Sequence, residues 1–223
     1  MCATTPHEKD ESNGDLQVAT VEQENHEKGD RWEARRQEIV DIAARLFAER
    51  GYTATGVAEL CRETGLGKGS LYYYIGSKER LLAEIHGSVL NPLVDETRKI
   101  AASTDPPEAK LRRMTETMLA AIVHHMDHVW VFLHEWKALR GRNASSFRDK
   151  RRAVEDVLES ILQEGVDRGD FDIPDLRIAT LAWFGMVNYT YQWYRSEGRL
   201  SPELIGQYYH QLFTQGIFSA AKR

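Results

Sequence analysis

The chain has 223 residues, 42% of them hydrophobic and 28% charged. That balance fits a folded globular protein and excludes fibrous, low-complexity and membrane-spanning classes, since no apolar run nears the roughly 18 residues a span needs. The net charge of −5 is uneven: residues 1–30 hold eight acids against two lysines, so the remainder is one charge positive, and a nucleic-acid partner, which needs only a local basic surface, is not excluded.

The first 30 residues are polar, acidic and poor in aromatics. They bury too little apolar surface to offset the entropy of ordering, and a disordered tail is expected over 1–30. They lack the basic and apolar stretches of a secretory signal, so a cytoplasmic location is expected, with no membrane partner. Cys2 in the tail and Cys61 in a predicted helix make no disulfide framework, and both are expected as free thiols. From Trp32 onward Ile39, Ile42, Ala43, Leu46 and Phe47 recur at helical spacing, and Gly51 supplies the stop. Thr55 is the expected N-cap of a short helix whose apolar face (Val57, Ala58, Leu60, Cys61) ends at Gly65. A second short helix follows over about 68–74. Ser77 opens a longer one that Pro92 should kink or break.

Past Pro107 the spacing predicts helices over 107–125, 127–139, 143–168, 174–196 and 201–218. Gly141, the pair Gly169 and Pro174, and Gly198 with Ser201-Pro202 punctuate them. No strand pattern competes and no internal repeat is present, so the fold class read from the sequence is all-α. Three parts are expected: a tail over 1–30, a three-helix unit, the head, over 31–78, and a larger helical domain over 79–223.

The stretch TGVAELCRETGLGKGSLYYYIGSK, from Thr55 to Lys78, has the layout of a helix-turn-helix. Gly65 has no Cβ to oppose a left-handed turn, the small Cys61 four residues earlier lets two helices approach, and Leu66 and Leu71 pack from the other side. The second helix then offers Lys68, Ser70 and Tyr73 to a groove, with base edges facing its amino end and phosphates facing flanking hydroxyls, lysines and amides. The same glycines do not make a Walker A loop: Gly69, not Ser or Thr, follows Lys68, and an amphipathic helix, not a strand, precedes them. No GxSxG, CxxC or HExxH pattern is present, so no enzyme and no cofactor are expected.

At these residues the sequence resembles the TetR family of bacterial transcriptional regulators. The likeness rests on LFAERGY (Leu46 to Tyr52), Thr55-x-Val57, the turn Gly65, the run Lys68-Gly69-Ser70-Leu71-Tyr72-Tyr73-Tyr74, and Ser77-Lys78-Glu79. It implies that Lys68 and Gly69 lie against bases, that Thr55, Tyr73, Tyr74 and Lys78 hold phosphates, and that Tyr72 packs internally. Gly67 and Ser70 complete the expected DNA-binding set. The resemblance further implies a C-terminal domain that dimerises and binds a small effector, giving an inverted-repeat operator, with repression the family default. A small-molecule-binding protein that does not act on DNA is the alternative reading.

The last two predicted helices, LAWFGMVNYTYQWY and YYHQLFTQGIF, are too apolar all round for a one-sided surface helix and are expected to form the homodimer interface. Polar or aromatic groups on otherwise apolar helices are the effector candidates: Trp130, His134, Trp136, Arg140, Asn188, Tyr189 and Trp193. The segments from Val129 to Gly141 and from Trp183 to Glu203 are similar to those of TetR regulators of lipid and steroid degradation that sense CoA thioesters. Such a ligand needs an apolar tunnel and arginines at its mouth, for which Arg140, Arg142 and Arg148 are available. His124 and His128, four apart, would be a weak metal pair without a third ligand, and none is expected.

Overall fold

A computed structural model describes the backbone of residues 11–217 and the side chains of 28–215. Among the described residues it holds helices and no strand: α1 (Glu11–Arg50), α2 (Val57–Thr64), α3 (Lys68–Ile75), α4 (Lys78–Ala102), α5 (Pro107–His124), α6 (Met126–His134), α7 (Gly141–Asp167), α8 (Leu176–Asn188), α9 (Thr190–Trp193) and α10 (Pro202–Ile217). A single 3-10 turn, Trp136–Ala138, links α6 to α7.

Helix α1 corrects the expected tail. Residues 1–10 lie outside the described residues, but 11–30 continue into the first helix rather than standing apart from it. No proline occurs between Pro6 and Pro92, so every position along α1 keeps the backbone N–H that the helix ladder uses. The last turns bury Ile39, Val40, Ala43 and Phe47, and Gly51, at φ +86°, ends the helix as expected.

Helix α4 leads out of the head as one 25-residue element. Ser77 caps it, its hydroxyl accepting from Arg80 N–H at 3.0 Å. Pro92 does not break it, because a proline deletes only one backbone bond while Val89, Leu90, Leu93 and Val94 are buried on either side. Two other long helices expected from periodicity are divided. The 127–139 segment stops at His134, where Glu135 turns toward the head, and the 174–196 segment is cut at Tyr189, which sets buried Thr190 against Tyr209 of α10 at 3.1 Å.

Two apolar cores result. One is built inside α1–α3 and the start of α4 from Leu46, Phe47, Leu60, Leu71, Ile75 and Leu81, and it takes in Val131, Leu139 and Phe147 from further along the chain. The other fills the space among α4, α5, α7, α8 and α10, around Leu111, Met114, Leu158, Leu162, Trp183 and Val187. Because α4 runs through both, it connects the head to α5, α6 and α7.

Candidate nucleic-acid interface and ligand cavities

The turn between α2 and α3 forms as its glycine requires. Gly65 sits at φ +69°, ψ 17°, and Leu66 N–H closes back on the Cys61 carbonyl at 3.1 Å. Leu60, Leu71 and Ile75 are fully buried below it. Thr64 donates to the Leu60 carbonyl at 2.7 Å, and Arg35 of α1 donates to the Thr64 carbonyl at 2.6 Å, so α2 is held at its carboxyl end from two directions. The outer edge of α3 remains open. Gly67 precedes the helix without a side-chain cap and no acid lies in the first turn, so the first amide groups and the positive end of the helix dipole face outward. Gly67, Lys68, Gly69 and Ser70 are all exposed, and Tyr73 is 72% exposed.

The remaining residues of the expected DNA-binding set are placed differently. Thr55 is fully buried and is not the N-cap of α2; Gly56 holds that position. The Thr55 hydroxyl donates to the Gly51 carbonyl at 2.9 Å, reinforcing the bond that its own backbone N–H makes to the same oxygen at 3.2 Å in the turn leaving α1. It cannot reach a phosphate from there. Lys78 donates to the Tyr52 carbonyl and lies 4.2 Å from the Tyr52 ring centre. Burial lowers its pKa from the ordinary lysine value, with Glu135 opposing. Tyr74 is half-buried and stacks on Trp32 at 5.8 Å, while Tyr73 meets the edge of the same indole at 6.4 Å. Arg36 donates to the Tyr74 carbonyl at 3.3 Å and pairs with Glu84 at 2.6 Å. Trp32 and Arg36, which no spacing rule singled out, are thus what fixes the carboxyl end of α3.

A model for bacterial regulatory proteins of the tetR family matches residues 39–85, and one for the tetracyclin repressor-like C-terminal domain matches 104–217. The chain belongs to the TetR family. The KstR2 repressor of Mycobacterium tuberculosis is 31% identical over 191 residues, 82% of this chain and 93% of that protein. Its structure, that of a ketosteroid transcriptional regulator, covers 83% of this chain and 95% of its own at TM-score 0.78 and 29% identity. PfmR of Thermus thermophilus covers 79% and 97% at TM-score 0.73 and 33% identity.

In this TetR-family regulator the expected effector residues do not share one cavity. Trp130 and His134 stack at 4.3 Å, and His134 also meets the Tyr191 hydroxyl at 3.1 Å. Trp136 lies parallel to Phe147 at 6.3 Å, on the surface. The Arg140 guanidinium donates to the carbonyls of Lys137 and Leu139. Asn188 and Tyr189 sit at the α8–α9 junction, Tyr189 being 64% exposed, and Trp193 lines a separate hollow of 210 Å³. Of the aromatic candidates, Trp130 is spent on His134 and Trp136 on Phe147, whereas Tyr189 and Trp193 make no ring contact among the described residues. His124 and His128 are not a helical pair either, since the helix breaks at His125, and no group of three metal-ligating side chains occurs among the described residues.

Two larger spaces flank α4 instead. One of 340 Å³ lies between α4 and α5 and is lined by Val89, Pro92, Leu93, Ala120 and Ala121, with His124 and His125 beside it; none of Arg140, Arg142 and Arg148 lines it. The other, 700 Å³, is polar and opens between α1, α4 and α7. Three struts tie the head to the helices around these spaces: Arg36 to Glu84, Tyr52 N–H to Glu135 at 3.0 Å, and Asp41 to His128 at 3.1 Å. The other ring nitrogen of His128 meets Ser88 of α4 at 2.8 Å. Burial lowers the His128 pKa and Asp41 partly restores it.

Proposed function

We propose that this chain is a TetR-type repressor that binds an inverted-repeat operator as a homodimer and is released by a small-molecule effector, a CoA thioester of acyl or steroid origin. The observation that carries the DNA half of the reading is the outer edge of α3. It is short, uncapped and exposed at Lys68, Gly69, Ser70 and Tyr73, yet rigidly backed by Leu71 and Ile75. An edge of that kind enters a major groove, with Lys68 reaching base acceptors and Ser70 and Tyr73 reaching phosphates.

The dimer half rests on α8 and α10, where Ile178, Leu181, Tyr208 and Leu212 are 49–66% exposed. Isolated exposed apolar residues are ordinary, but four large ones on two neighbouring helices call for a second burial partner. A second copy on this face sets two α3 helices about one DNA turn, roughly 34 Å, or a multiple of it apart. The effector class is supported by the similarity to KstR2, a ketosteroid regulator, and by the apolar space beside Val89 and Leu93, whose 340 Å³ suits a hydrocarbon body.

A ligand in that space touches α4 and α5, and α4 begins at Lys78, where the head rests on it. Binding that prefers a shifted α4 moves the two α3 helices out of register with successive grooves. The effector acts only through its different affinities for the DNA-bound and free forms. Fluorescence anisotropy with the intergenic DNA beside the coding region tests both halves. Saturable, salt-sensitive binding that acyl- or steroid-CoA reverses and free CoA does not is the expected result. A protein that ignores that duplex even at low salt is a ligand-binding protein without a DNA role.

A further inference from the structure

We infer that Ser88, His128 and Asp41 form a hydrogen-bond relay by which an occupant of the apolar space between α4 and α5 loosens the head, and that this occupant carries a neutral oxygen, a hydroxyl or a carbonyl, at its Ser88 end. The inference rests on the effector reading above and adds the group that senses the ligand. Ser88, half-buried on α4, has one hydroxyl proton and two acceptors in reach, the Ile85 carbonyl and His128 Nδ1, each at 2.8 Å. The other ring nitrogen, Nε2, lies 3.1 Å from the Asp41 carboxylate of α1. Burial lowers the His128 pKa and so favours the neutral imidazole, which has one N–H and one lone pair. Facing a carboxylate, the N–H belongs on Nε2. Nδ1 is then the acceptor, and the Ser88 proton goes to it rather than to Ile85. The strut between His128 and Asp41 therefore depends on where a single hydroxyl proton points.

Ser88 is also where two spaces meet. It lines the apolar space with Val89, Leu93 and Ala121, and it lines a polar space of 570 Å³ with Asp41, Asp127 and His128; His124 and His125 stand in both walls. Neither wall holds a lysine or an arginine, and the polar one holds two aspartates, so a negatively charged end is disfavoured beside Ser88 and a neutral oxygen is not. An oxygen acceptor arriving there takes the Ser88 proton. Nδ1 then has no donor, and the imidazole satisfies it only by exchanging its proton, through water, from Nε2 to Nδ1, which donates to the Ser88 oxygen. Nε2 is left with a lone pair against the Asp41 carboxylate, and the bond between α6 and α1 becomes a repulsion. The two tautomers are the discrete states of the relay, and an occupant that bonds Ser88 in only one of them shifts the balance.

The test uses the full chain without DNA at about pH 8, above the ordinary imidazole range. Histidine labelled with ¹⁵N reports the His128 tautomer, with His128→Gln assigning its signals, and the Ala121 methyl reports occupancy of the apolar space. The free chain should show the Nε2–H form. 1-Octanol should move the Ala121 methyl saturably and shift His128 toward the Nδ1–H form with the same midpoint. Octanoate, equal in length but charged, should bind about tenfold more weakly or worse. Asp41→Ala, outside the apolar space, should bind octanol about two- to tenfold more tightly, because the bond the occupant must break is gone. On the intergenic duplex, octanol should weaken the parent by about the same factor and leave Asp41→Ala unaffected. The inference is overturned by an Nδ1–H form in the free chain, by Ala121 shifting while His128 stays, by no saturable Ala121 response, by octanoate binding as tightly as octanol, or by Asp41→Ala binding octanol no better than the parent. A chain that ignores the duplex yet shows the His128 shift supports the relay and sinks only the repressor reading.

Discussion

The head and the helices behind it use their polar groups in opposite ways. In the head nearly every polar side chain near a helix end is spent on a neighbour: Thr55 on Gly51, Thr64 on Leu60, Lys78 on Tyr52, Arg36 on Glu84. What stays unpaired there is one edge of α3. Behind the head the balance is reversed, with His86 unpartnered and buried, an apolar hollow beside α5, and an apolar face on α8 and α10. The contrast places the candidate DNA contact on a tightly tied part and the open spaces among the helices behind it, which is where the proposed coupling between two ligands would have to act.

The largest expected effect breaks the contrast at the apolar face. The double substitution Ile178→Glu with Leu212→Glu should leave a folded monomer by sedimentation and circular dichroism, with operator affinity reduced more than a hundredfold because two linked half-site contacts become one. A dimer that survives would move the interface elsewhere. Next comes the unpartnered imidazole. Burial lowers the pKa of His86 from 6.5 to about 4 in the folded chain, so between those values the unfolded chain binds the extra proton. Stability is complete above about pH 6.5 and falls as the pH drops toward 4, by something on the order of 3 kcal/mol. His86→Leu should remove that share of the pH dependence in urea melts; parallel curves for the two proteins would place the ring in water.

Smaller effects sharpen the head. Lys68→Ala should cost about 1–3 kcal/mol of operator binding, and little on random duplex if Lys68 reads a base. An equal loss on both duplexes assigns it to phosphate. Thr55→Val should cost about 1 kcal/mol in unfolding free energy, from the lost bond to Gly51, while operator affinity at 25 °C stays the same. The opposite outcome, unchanged stability and weaker binding, would restore the phosphate role that burial denies it.

Local chemistry was legible where a residue's role depends on its near neighbours. The left-handed turn at Gly65, the stop at Gly51, the Ser77 cap, the short α2–α3 pair and the apolar excess of the last helices are all set by residues within about one or two helical turns, so composition and spacing were enough. Pairings across 26 to 83 positions were not legible: Lys78 with Tyr52, Arg36 with Glu84, and Tyr52 with Glu135. Periodicity says which face of a helix is buried but not what it meets, so Thr55 read as a cap, Pro92 as a kink or break, and the aromatics from Trp130 to Trp193 as one pocket. Tertiary packing decided those cases. It set Trp130 against His134 and Trp136 against Phe147, left open volume beside α4, and put an ordinary-looking histidine at position 86 where water and partners are both missing.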